Sequence, residues 1–78
     1  MKKIPTSQLI ELLKAKRDSV FEVSLSNQFF KATHFIYFGG RKLFDTGIDS
    51  QETTWLPDEF LRFYPQAFWT IEQIVPQH

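Results

Sequence analysis

The chain has 78 residues, a formal net charge of zero and no cysteine. That length suits a single domain over residues 1–78, near the lower size at which one core sustains itself. The composition excludes a disulfide framework and thiolate metal sites, and no apolar run approaches the length needed to span a membrane. The N-terminal MKKIPTSQLIELLKAKRD is basic but lacks the continuous apolar run of a signal peptide, so the expected location is cytoplasmic.

Charge is unevenly placed along the chain. Residues 1–42 carry eight Lys/Arg against Glu11, Asp18 and Glu22, a balance of +5. Residues 43–78 carry Arg62 alone against six carboxylates, a balance of −5. Aromatic rings are plentiful, with nine Phe, two Trp and two Tyr. A domain with so little interior is expected to place some of them on a self-association or partner surface.

In chain order, Thr6 or Ser7 is placed to cap a helix running to about Asp18. Leu9, Ile10, Leu12 and Leu13 form its apolar face, and Lys14, Lys16 and Arg17 suit the negative end of its dipole. In residues 20–26, Phe21, Val23 and Leu25 alternate with Glu22, Ser24 and Ser26, the period of a half-buried strand. Asn27-Gln28 is read as a turn, and 29–38 as a second strand. Gly39-Gly40 is read as the two-residue turn of a hairpin, and 41–46 as the third strand.

Those two turns set a register in which Ile36 faces Leu43, His34 faces Asp45 and Val23 faces Ala32. One face then gathers Phe21, Val23, Leu25, Phe30, Ala32, Ile36, Phe38 and Leu43. The other holds polar residues together with Val20, Phe29, Phe35, Tyr37 and Phe44. GIDSQETT reads as a polar connector. LPDEFLRFYP reads as a second helix, opened by Pro57 with Asp58 and Glu59, facing inward through Phe60, Leu61 and Tyr64, and stopped by Pro65. AFWTIEQIV admits two readings: Phe68, Ile71 and Val75 fit a helix, whereas its Phe, Trp, Thr, Ile and Val favour strands and a proline lies on each side. It is assigned to a fourth strand. The expected fold is therefore α+β, a two-layer domain ordered α-β-β-β-α-β, with both helices on one face of an antiparallel sheet.

Asp45-Thr46-Gly47 resembles the active-site turn of retroviral aspartic proteases. Such a protomer would be almost entirely β, with a second apolar-Gly loop downstream. Here no glycine follows Gly47 and the downstream sequence is polar, then helical. The triplet is read as a strand end and a turn, and no catalytic residue is assigned.

His34 and Asp45 are expected to form a cross-strand polar pair of structural rather than catalytic value. No metal site or cofactor is expected, because the only other histidine is His78 and no ligand spacing is present. The glycines of FGGRK lie between strands and not at a strand-to-helix junction, so they are turn glycines and not a phosphate cradle.

The functional expectation rests on Phe35, Tyr37 and Phe44, grouped on the open face and flanked by Lys31 and Lys42. It is a small binding protein, of a kind common among bacterial and mobile-element proteins, using that face for a homodimer or a protein partner and making no membrane contact. The second reading gives the same rings and lysines to single-stranded nucleic acid, through stacking and phosphate contacts, and a further one buries the face beneath the domain's own remaining segments.

Overall fold

The computed structural model describes residues 3–26, 31–47 and 51–76. In chain order the elements are β1 (Lys3–Pro5), α1 (Thr6–Ala15), β2 (Ser19–Ser26), β3 (Lys31–Gly39), β4 (Lys42–Gly47), β5 (Glu52–Trp55), α2 (Pro57–Phe63) and β6 (Phe68–Pro76). The fold is α+β, with both helices on one face of an antiparallel sheet. The sheet has six strands in the order β1-β6-β2-β3-β4-β5.

Two strands therefore join the expected α-β-β-β-α-β order. β1 is only three residues long and includes Pro5, and it becomes a strand by pairing with β6 through Ile4 and Trp69. β5 lies inside the stretch expected to be a polar connector, and it pairs with β4 through Leu43 and Trp55. Both sit at sheet edges, where short strands limit the unpaired backbone offered to other chains. Each helix is a crossover on the same side: α1 carries the chain from β1 over to β2, and α2 carries it from β5 to β6.

The registers also differ from expectation, by the same step in both hairpins. Gly39 pairs with Lys42, so the tight turn is Gly40-Arg41, with Gly40 supplying the positive φ of 61°. Phe38 then faces Leu43, and Ile36 faces Asp45 rather than Leu43. Between β2 and β3, Ser26 pairs with Lys31 and Val23 with His34. The expected Asn27-Gln28 turn and the rings Phe29 and Phe30 lie outside the described residues. In each hairpin the partner moves by two positions, which keeps every side chain on its original face.

The helix-side face of the sheet builds the core. Phe21, Val23, Ile36, Leu43 and Trp69 are fully buried there, beneath Leu9, Ile10 and Leu13 of α1 and Phe60 of α2. Leu61, expected to face inward, is exposed. In β6 one extra residue, Glu72, falls between Ile71, which faces Val23, and Gln73, which faces Glu22. This bulge turns Glu72 toward the open face, where its carboxylate accepts the Ser24 hydroxyl at 2.9 Å.

The first helix ends at Ala15, earlier than Asp18, and Pro5 stands at its N-cap. Thr6 does not cap the helix with its side chain. Its buried hydroxyl accepts the indole N–H of Trp69 at 2.9 Å and donates to the Tyr64 carbonyl at 2.8 Å. Arg17, just past the helix, donates to the Gly40 carbonyl and lies over the Phe38 ring. In this way α1 is pinned at its start to β6 and α2, and beyond its end to the β3–β4 turn.

Truncating Ile36 to Ala should cost about 2–5 kcal/mol, because the residue is fully buried. An unchanged urea midpoint would contradict its place in the core. Replacing Thr6 by Val keeps the shape but orphans two buried polar groups, at roughly 1–3 kcal/mol each. Thr6→Ser retains the hydroxyl, so its urea midpoint should lie closer to wild type than that of Thr6→Val.

Candidate functional site

Two surfaces carry the residues that sequence reasoning singled out. The first is the sheet face opposite the helices. Phe35 faces Glu22 on one side and Thr46 on the other, and Tyr37 faces Phe44, which in turn faces Thr54. Tyr37 and Phe44 stack with centroids 4.8 Å apart and planes 10° from parallel. The stack lies over Gly39, where an added Cβ would stand 3.3 Å from the Phe44 ring. A side chain here would have to push the two rings aside by a few tenths of an ångström, and the φ angle of Gly39 is not left-handed.

Tyr37 and Phe44 are half-buried, whereas Phe35 is 38% exposed. Val20 and Val75 pair on the same face, and Val75 is exposed. The apolar residues thus gather toward the β3–β4 turn. The row crossing β1, β6, β2 and β3 farther from that turn is polar: Lys3, Thr70, Ser24 and Thr33. Lys42 is exposed at the turn end of the patch, and Glu22 and Glu52 flank the Phe35 row at its other end. The side chain of Lys31, expected as a second basic flank, lies outside the described residues.

The second surface is a cleft on the helix side, bounded by β3, β4, β5 and the end of α2. It has a volume of about 210 Å³ and is lined by His34, Asp45, Thr53, Trp55, Phe63 and Tyr64, together with Gly47 and Gln51. His34 and Asp45 meet here, not directly opposite each other but on a diagonal, since His34 pairs with Gly47 and Asp45 with Ile36. Diagonal neighbours on one face remain within reach of long side chains. The His34 Nδ1 lies 2.9 Å from Asp45 Oδ1 and 3.1 Å from Oδ2. An ionised carboxylate only accepts hydrogen bonds, so Nδ1 carries the proton between them.

Asp45 is buried, and the imidazole is held edge-on against the Trp69 and Tyr64 rings. Trp55, Phe60, Phe63 and Tyr64 extend this aromatic cluster, with Trp55 and Phe63 centroids 5.0 Å apart. The indole N–H of Trp55 is buried and has no hydrogen-bond partner. Sequence reasoning identified the His34–Asp45 pair but missed Trp55, Thr53 and Phe63. Trp55 and Thr53 belong to a strand that could not be seen, and Phe63 lies on the exposed side of a short helix. Among the described residues no group of His, Asp and Glu is arranged to hold a metal ion. No described helix is long and apolar enough to cross a membrane.

In comparisons with known proteins, the chain matches no family model, no curated protein and no solved structure.

The Tyr64 hydroxyl titrates above its ordinary value of 10.0, first because burial disfavours the phenolate and second because the Asp45 carboxylate repels it. The folded state therefore holds this proton more tightly than the unfolded chain. Stability associated with it is intact below pH 10 and falls as the pH rises from 10 through the higher folded value. Tyr64→Phe should flatten the stability profile in that alkaline window. Equal slopes for both proteins in urea titrations above pH 10 would contradict it.

Proposed function

We propose that the chain is a small cytoplasmic binding protein that self-associates through the Phe35–Tyr37–Phe44 corner of its open sheet face. The observation that carries this reading is the one-sided layering. Both helices pack on the opposite face, which leaves Phe35 exposed and the stacked Tyr37–Phe44 pair beside it only half-buried. A contiguous apolar patch of this kind on a small domain is characteristic of a protein interface.

A second copy is the favoured occupant because the patch is electrostatically self-complementary. Lys42 lies at one end, Glu22 and Glu52 at the other, and the Tyr37–Phe44 stack between them. A two-fold axis through the stack would bring each Lys42 to the acidic end of the partner's patch, as a symmetric dimer requires. Phe35 would serve as an anchor, and the charges would set orientation more than affinity. The reading gives the His34–Asp45 pair no catalytic role. Single-stranded nucleic acid is the second reading, and the neutral overall charge and the carboxylates flanking the rings weigh against it.

Sedimentation equilibrium over a concentration series tests the proposal. Wild type should dimerise, and Phe35→Ser should weaken the dimer by roughly tenfold or more while keeping the urea midpoint near wild type. Lys42→Glu should also weaken it, and adding Glu52→Lys should restore part of the loss. A wild-type protein that stays monomeric at the highest attainable concentration refutes self-association. If that monomer also binds oligonucleotides with a steep salt dependence, the second reading takes its place.

A further inference from the structure

We infer that the cleft between the β3–β4–β5 side of the sheet and α2 binds a small, neutral aromatic amide. This site lies on the opposite face from the proposed dimer interface and does not depend on it.

Unpaired polar groups argue for a ligand. The Trp55 Nε1–H is shut off from water and has no acceptor, although nearly all buried donors in folded proteins have one. An unpaired buried donor is costly to keep, and it is satisfied by the first acceptor that enters beside Phe63. Phe63 leans on the indole and is itself 62% exposed, so its ring can swing outward to bare the Trp55 N–H and then close on a ligand as a wall of the cleft. His34, which also lines the cleft, spends Nδ1 on both oxygens of Asp45. Its Nε2 has no partner among the described residues, and in the neutral ring it is an acceptor. Asp45 thus orients the imidazole as a carboxylate orients a ligating histidine, with the free nitrogen left for an incoming group.

Size and charge narrow the ligand class. About 210 Å³ admits one ring and a short substituent but falls below the usual range for larger ligands. The walls are the rings of Trp55, Phe63 and Tyr64, which favour a flat aromatic body. Among the described residues no Lys or Arg lines the cleft, and the Asp45 carboxylate does, so an anion would enter without compensation. The same carboxylate is already engaged by His34 through both oxygens, which leaves no clamp for a cation. What remains is a neutral planar molecule offering a carbonyl to Trp55 Nε1 and an N–H to His34 Nε2. An aromatic carboxamide or lactam meets both demands.

The chain has two tryptophans, so ¹⁵N–¹H spectra contain two side-chain indole signals. Trp69 donates to Thr6 and provides an internal reference, while Trp55 reports on the cleft. Titration with benzamide should move the Trp55 indole signal downfield in a saturable way and leave that of Trp69 in place. Toluene, which matches the ring but offers no acceptor, and benzoate, which is charged, should bind at least about fivefold more weakly. Trp55→Phe should assign the signal and weaken benzamide binding by a similar factor, read from the backbone amides of Gly47 and Thr53. If Trp55→Phe fails to fold, the wild-type titrations decide alone. The site is refuted if benzamide moves neither indole signal or moves both alike. Its amide specificity is refuted if toluene or benzoate binds as well.

Discussion

The buried hydroxyl of Thr6 is the interaction on which the arrangement of the layers depends. It receives the N–H of Trp69, the bulkiest fully buried side chain, and gives its own proton to the carbonyl at the end of α2. A helix start, a helix end and a strand therefore meet at one oxygen. Burying an indole normally requires a partner for its nitrogen, and this residue provides it without adding volume to the core. With Trp69 fixed, Phe60 stacks on it and the His34 imidazole rests edge-on against it. Core and cleft thus share a wall, and the position of the His34 ring is set from behind by the same indole.

The two faces of the sheet divide the chemistry of the molecule. On the helix side, Asp45 is tolerated in the interior because His34 engages both of its oxygens. On the open side, the bulge at Glu72 directs a carboxylate to Ser24 and keeps that part of the face polar. The aromatic corner begins where this polar row ends. A boundary of this kind confines exposed apolar surface to one end of the open face.

Which residues share a face was legible in the alternation of β2, β3 and β4, since a period of two survives any even shift of register. The register itself was not. Gly39-Gly40 looks like the turn, but Gly39 is the last residue of β3, close under the Tyr37–Phe44 stack, and the left-handed position belongs to Gly40. His34 and Asp45 still meet because diagonal neighbours are within reach of each other. β1 and β5 were illegible for a different reason. Lys3–Pro5 and Glu52–Trp55 are strands because neighbouring strands supply their hydrogen bonds, and neither is long enough to show a pattern of its own. Thr6 was read as a local cap, and its actual partners lie at the other end of the chain.

β6 closes the sheet against strands remote in sequence. The Trp69–Thr6 bond spans 63 positions and the Glu72–Ser24 bond spans 48. The β2–β5 meander pairs strands that follow one another in sequence, yet on its own it leaves Phe21, Val23 and Ile36 without a cover. The rewarding contacts arrive only after two long loops have closed, and that entropy must be spent beforehand. Docking of β6 therefore carries the longest loop closures among these side-chain contacts. Without it the core face of the meander stands open.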